Sequence, residues 1–239
     1  MDGVLAMNSV TVRDADFRRA AFGRFAPNGC LFERCDFRGQ VFDERHEVVF
    51  ASRRQSVFRA CLFDGADLRQ VRPGQARFEA CSFAQANLDG WVSACAEFID
   101  CTFAGTIRGV TFHGKPWGHA AAQIDPARAA NAFKGNDFSA TELVSVLFVD
   151  SIDVRQQIWP SGDAYVAMDR IQQRLTHART RVLTWPDQEQ RHEGLRMLQE
   201  VAFVYIHQQG IAAQQRSDER WSATAPVQRE VWQILEHVL

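Results

Sequence analysis

Large apolar residues return at every fifth position along much of this 239-residue chain. From Phe58 the series runs Phe58, Phe63, Leu68, then Phe78, Phe83, Leu88, then Phe98 and Phe103. Two residues before each stands a small one: Ser56, Cys61, Ala66, Ala76, Cys81, Ala86, Ala96 and Cys101. Such a period belongs neither to an α-helix, which turns in about 3.6 residues, nor to a strand that alternates in two. A longer period lies over it. Cys61, Cys81 and Cys101 are 20 apart, as are Phe63, Phe83 and Phe103, and Phe58, Phe78 and Phe98. Four pentads make that longer repeat, so a coil with four short sides explains both periods. The large residue and the small one before it point inward, coils stack at strand spacing of ~4.8 Å, and identical residues lie in ladders.

Upstream, Phe17, Phe22, Phe32, Phe37 and Phe42 follow the same rule with Ala15, Ala20, Cys30, Cys35 and Gln40 before them, one residue out of phase. One inserted residue between Phe42 and Phe58 reconciles the phases. That places Phe37 and Phe17 in the column of Phe58, and Phe42 and Phe22 in the column of Phe63. Downstream, Phe133, Phe138, Leu143 and Phe148 resume the pattern. One side is irregular: Pro73 and Ser93 hold the large-residue slot, and Val71 and Trp91 the small one. That wall is expected to bulge or to exchange its inward positions. Residues 43–57 and 23–29 read as loops or irregular sides.

The pentads ADFRR, ADLRQ and ANLDG, with variants CDFRG, CLFDG, CSFAQ, AEFID and CTFAG, resemble those of pentapeptide-repeat proteins over roughly residues 15–158. The resemblance implies a right-handed quadrilateral β-helix, a mainly β solenoid. The expected domains are a 1–158 β-helix, with an excursion at about 113–130, and an α-helical 159–239 region. The excursion, HGKPWGHAAAQIDPARAA, leaves the pentad pattern and reads as a turn with short helical pieces, Pro126 starting one. Beyond Trp159, one helical face is read from Tyr165, Met168, Ile171, Leu175, Ala178 and Val182, and a second from Leu195, Leu198, Ala202 and Tyr205. Gly210 is the expected stop of the second. A third face is Val227, Val231, Ile234 and Leu235, with Thr224 as its cap after a polar linker over 214–224. These helices cap the solenoid or pair two chains into a homodimer; both readings stay open.

The search for chemistry gives little. Cys61, Cys81 and Cys101 form an inward ladder without the closed tetrahedral donor set zinc requires, so they read as small hydrophobes, and no metal or cofactor is expected. None of the phosphate-binding glycine loops, zinc-protease or nucleophile-elbow motifs occurs. His113, Lys115 and His119 cluster in the excursion with no nucleophile or carboxylate at a recognisable spacing. No enzyme is expected. Phe17, Phe22, Phe37, Phe42, Phe58, Phe63, Phe78, Phe83, Phe98 and Phe103 are read as structural, together with the cysteine ladder. The candidate partner contacts are His113, Lys115, Trp117 and His119 of the excursion, and Arg18 and Arg38 among the outward arginines.

The balance of 27 basic and 29 acidic residues offers no field for nucleic acid or an anionic membrane. No apolar run approaches the ~20 residues of a membrane span, and the N-terminus lacks a secretory pattern, so a cytoplasmic protein with reduced thiols is expected. The resemblance implies a second function, since some pentapeptide-repeat proteins protect type II topoisomerases (gyrase, topoisomerase IV) from quinolones or peptide toxins as dimeric rods that resemble duplex DNA. The charge argues against it: residues 1–158 carry 18 basic and 19 acidic side chains, far from a polyanion. A non-enzymatic protein-interaction scaffold is therefore the first expectation, and topoisomerase protection the alternative.

Overall fold

The computed structural model describes residues 4–5, 7–21, 24–42, 47–161, 165–205, 210–214 and 225–237. Its first part is rich in short parallel strands, and three helices follow at the C-terminal end. Among the described residues the parallel strands form one six-stranded and three three-stranded sheets, extended by isolated bridges. The longest is a six-stranded sheet of Thr11–Arg13, Leu31–Glu33, Val57–Arg59, Arg77–Glu79, Glu97–Ile99 and Phe133–Lys134. A second begins with Val4–Leu5, Arg24–Phe25 and Glu47–Val48 and continues through the Val49–Arg72 bridge, while Val92–Ser93, Thr111–His113 and Leu147–Val149 form a three-stranded sheet of their own. Another run of pairs leads from Asp16 through Asp36, Leu62, Ser82, Thr102 and Asp137 to Ile158. Bridges alone join Val41, Asp67 and Asn87.

Each pentad buries its first and third residues of the repeat, because a two-residue alternation turns both to the same face. Phe58, Phe63, Phe78, Phe83, Phe98 and Phe103 are fully buried, with Cys61, Cys81 and Cys101 beside them. Stacked rings run the length of the core. Phe17, Phe37, Phe63, Phe83, Phe103 and Phe138 form one column with successive centroids 4.7, 5.0, 5.0, 5.1 and 4.6 Å apart. Phe32, Phe58, Phe78 and Phe98 form another at 4.7, 5.4 and 5.1 Å.

That register corrects the alignment read from the sequence. Phe58 pairs with Phe32, 26 residues away, so six residues enter this coil rather than one. Phe37 and Phe17 stand over Phe63, and Phe42 falls beside Leu68, since Val41 bridges Asp67. Phe22 lies outside the described residues. Part of the insertion precedes Val48, which pairs with Phe25 at a separation of 23. The rest forms the bend at 52–55. The two stretches read as loops supply core residues: Phe25 and Phe50 are fully buried, and Phe50 sits 5.1 Å from Phe58 and 5.5 Å from Phe63. An aliphatic or aromatic residue at an inserted position breaks a period without leaving the core.

The irregular wall keeps its inward positions and exchanges their sizes. Val71, Pro73, Trp91 and Ser93 are all buried. Trp91 fills from the small slot the space that Ser93 leaves in the large one, and its indole N–H donates to the Leu68 carbonyl at 2.6 Å. Ser93 Oγ is buried without a hydrogen-bond partner.

At the end of successive strands of the six-stranded sheet the backbone takes a left-handed residue: Asp14, Arg34, Ala60, Ala80 and Asp100, each with φ between 50° and 53°. Non-glycine residues reach this region only where the surroundings over-determine it, as identical stacked turns do here.

The C-terminal part has its own hydrophobic cluster, around Val166, Met168, Ile171, Leu175, Ala178, Val182, Met197, Leu198, Val201, Val231 and Leu235. Its helices are α1 (Ile171–Leu183), α2 (Gln188–Tyr205) and α3 (Ala225–His237). Tyr165 and Met168 belong to a strand, Tyr165–Asp169, rather than to the first helix, and Gly210 opens its antiparallel partner, Gly210–Gln214. Five residues of alternating burial match a strand as well as a helix at this length, which is why the period misled. Of the linker read over 214–224, Gln214 ends the Gly210–Gln214 strand opposite Tyr165, and the rest, Thr224 included, lies outside the described residues. Arg174 is buried on α1 and holds this part together: its guanidinium donates to the Asp169 carbonyl at 2.6 Å and to the Leu235 and Glu236 carbonyls at 2.7 and 3.0 Å, closing the C-terminal end of α3.

Where the two parts meet, Trp159 stacks on Phe138 at 5.2 Å and stands edge-on to Phe148 at 4.8 Å. Tyr165 donates to the Thr141 carbonyl at 3.4 Å.

Candidate partner-binding surface

The excursion begins where Thr111–His113 leaves its stack. His113 is 7% exposed, on the face opposite the inward Phe112, and its Nδ1 lies 2.5 Å from Asp150 Oδ2. Asp150 is 37 residues away in sequence but follows Val149, the direct strand partner of His113. The sequence search for a carboxylate near the histidines missed it because the excursion itself separates the two coils. Gly114 then passes so close to the next coil that a side chain there would meet the Asp150 carbonyl and the Ile152 amide.

Trp117 follows, 58% exposed, with its ring stacked on the His113 imidazole at 5.2 Å and 15°. Its amide donates to the Ala94 carbonyl at 3.0 Å. A large aromatic face is thus held outward on a buried, hydrogen-bonded ring. Lys115 and His119 are exposed on either side. His119–Gln123 forms a single 3-10 turn, and the chain beyond Pro126 runs in bends instead of the expected helix.

The far end of the excursion reaches back over two coils and docks on the bend at 52–55. The Gln55 amide donates to the Asp125 carbonyl at 2.8 Å, the Asp125 amide donates to Gln75 Oε1 at 2.9 Å, and Arg54 pairs with Asp125 at 3.3 Å. Arg128 then turns inward, donating to Asn131 at 3.2 Å and to the Cys95 carbonyl. It lies 3.6 Å from Glu97, a buried carboxylate that also accepts from Gln55 at 2.7 Å and from the Ala132 amide at 2.8 Å. The two interruptions of the repeat are therefore one structure. Cationic and neutral donors offset the burial of Glu97, while Arg128 Nη1 is buried without a hydrogen-bond partner.

The outward arginines are committed elsewhere. Arg18 clamps Asp16 and Arg38 clamps Asp36, each at 2.7 Å, and Arg69 and Arg155 repeat the clamp on Asp67 and Asp153. Each aspartate also accepts the backbone N–H of its arginine. These donors hold all four carboxyls below the usual range, Asp16 at about 2. Arg18 and Arg38 are exposed but already neutralised, and the structure does not bring them to the excursion as one surface. On the six-stranded sheet, register partners alternate in sign along Arg13, Glu33, Arg59 and Glu79. Arg13–Glu33 and Arg59–Glu79 close at 2.9 and 2.8 Å. Within this ladder the charges cancel pairwise.

All six cysteines are free thiols and buried. Cys61, Cys81 and Cys101 donate to carbonyls of the preceding coil, at 3.5, 3.2 and 3.5 Å, and burial pushes the Cys81 thiol well above its ordinary pKa. Among the described residues, no three His, Cys, Asp or Glu side chains are grouped to hold a metal, and no helix is long and apolar enough to cross a membrane.

No family model matches the sequence, and no curated protein matches it. Among solved structures the chain is similar to full-length QnrB1, described as a plasmid-mediated fluoroquinolone resistance protein. The identity is 15%, the TM-score 0.24, and the match covers 64% of this chain and 81% of that one. Two trypsin-treated variants of the same protein match at 15% identity with TM-scores of 0.22 and 0.20, covering 66% of this chain and 80% and 88% of theirs. Likeness at this level does not place the chain in a family.

Proposed function

We propose that residues 1–158 form a pentapeptide-repeat β-helix that serves as a non-enzymatic scaffold for a protein partner, and that 159–239 caps its C-terminal end. The observation that carries the scaffold reading is Trp117, an exposed ring fixed on buried His113 over a bed of stacked coils. Aromatic side chains held in place before binding are the usual energetic anchors of protein interfaces. Lys115 and His119 flank it as polar rim. The capping reading is supported by Trp159 and Tyr165, which lie against the last coil.

The test is a photo-crosslinking residue at Lys115, introduced in cells. A discrete adduct that disappears in Trp117→Ala supports a partner docked on the ring. No adduct from a folded, expressed protein, or an adduct indifferent to Trp117, sinks the reading. Topoisomerase protection remains the alternative drawn from the sequence resemblance. It is tested separately by titrating the protein into a gyrase supercoiling assay with and without a quinolone, where no protection across the titration removes it.

A further inference from the structure

The excursion crosses the surface without entering the core. The strands on either side of it keep their partners, Phe112 on Phe148 and Phe133 on Phe98, so strand pairing runs on past it. Its two ends meet at a closed neck. The Asn131 amide donates to the Gly114 carbonyl at 2.9 Å, and Asn131 Nδ2 donates to the His113 and Ala94 carbonyls at 2.9 and 3.2 Å. Between Gly118 and Ala130 no described side chain is buried, and none joins the hydrophobic cluster of the repeat region. What holds this stretch down is polar. At its tip Asp125 meets Arg54, Gln55 and Gln75, and on its return leg Arg128 reaches toward Glu97 and the Cys95 carbonyl. One Arg128 nitrogen, Nη1, is buried with nothing to donate to. Gly118 stands at φ 71° and ψ −166°, a region that glycine alone reaches without strain, and no heavy atom lies within 4 Å of where a Cβ would be. An unpacked joint thus leads into a segment with no apolar anchor.

We propose that residues 118–130 form a lid that opens as a unit while the stacked strands stay folded. Segments held by few buried apolar contacts open at a fraction of the cost of global unfolding. What lies beneath is specific. Cys95 is 1% exposed, its Sγ lies 3.9 Å from the Trp117 carbonyl, and its own carbonyl accepts from Arg128. Glu97 is 4% exposed, between Gln55, the Ala132 amide and Arg128. Opening uncovers a thiol and a carboxylate together. Cys61, Cys81 and Cys101 sit in the core among the phenylalanine columns and gain no access from it. The neck stays closed on Asn131, so the lid moves independently of what binds at Trp117.

Native-state labelling of the full chain with N-ethylmaleimide, which adds a thiol across its double bond, tests the proposal. Peptide mass mapping reads each cysteine separately. Cys95 is expected to react about tenfold or more faster than Cys61 and Cys81, which wait for global unfolding. Its rate stays nearly flat in low urea while theirs climbs steeply, because a lid exposes far less surface than the whole chain. Arg128→Ala is expected to speed Cys95 by about tenfold, since it removes hydrogen bonds from a charged donor. Arg54→Ala at the exposed tip speeds it by about two- to fivefold and carries the test if Arg128→Ala does not fold. Equal rates and equal urea slopes for Cys95, Cys61 and Cys81 overturn the proposal. So does a Cys95 rate that ignores the folded variants, which would assign its exposure to another motion.

Discussion

Ser93 shows how much a single buried atom matters in this core. Its hydroxyl has no hydrogen-bond partner, and a buried orphan of this kind costs about 1–3 kcal/mol. Ser93→Ala is therefore expected to raise the denaturation midpoint, and a clear drop would show that the hydroxyl is satisfied in solution. Phe50→Ala should behave like Phe63→Ala, each losing about 3–5 kcal/mol, since both rings are fully buried. A loss below 1 kcal/mol at Phe50 would return it to the loop class its position suggests. The clamped aspartates give a pH dependence. Their pKa values are lower in the folded chain than the ordinary ~3.9 of the unfolded one, so their contribution is complete above about pH 4 and lost as pH falls through the folded values, near 2 for Asp16. Urea midpoints should be flat from neutrality to about pH 5 and then fall. Replacing Asp16, Asp36, Asp67 and Asp153 together by Asn should flatten the acid limb.

At the scale of the pentad and the turn, the pattern Phe58, Phe63, Phe78, Phe83 was legible because small and large residues alternate on one face. The inward-facing ladder follows from that alone. The register between Phe32 and Phe58 was not legible. A period locates residues within a coil but cannot count residues added between coils, and one extra residue has the same phase as six. The excursion was legible as an interruption, while its docking on the 52–55 bend was not, because Asp125 and Gln55 share no pattern. His113 looked like a surface residue for want of Asp150. The left-handed corners carry a further consequence. Ala60 and Ala80 hold a conformation that glycine adopts without cost and alanine does not, so Ala80→Gly should stabilise the chain by about 1 kcal/mol. Calorimetry settles it: a lowered melting temperature would mean that the alanine conformation is unstrained here.

Over the whole molecule, successive turns of the repeat region are joined through strand pairs, stacked rings and the Arg13–Glu33–Arg59–Glu79 ladder. Turning Glu33 into Lys sets three cations, Arg13, Arg34 and Arg59, around it and should lower the melting temperature, a loss that shrinks in high salt. Composition did not reveal this arrangement, because a balanced count of charges says nothing about their order in space.

Trp159 and the strand after it brace one end of the stack, while among the described residues Thr11–Arg13 pairs with a strand on one side only. A linear array of this kind melts like a zipper opened at its weaker tooth. In the isolated monomer, amide exchange should therefore show a gradient, fastest around Thr11–Arg13 and slowest near Phe103 and Phe138. The chain then has a built-in direction of fraying, set by a single indole at its far end.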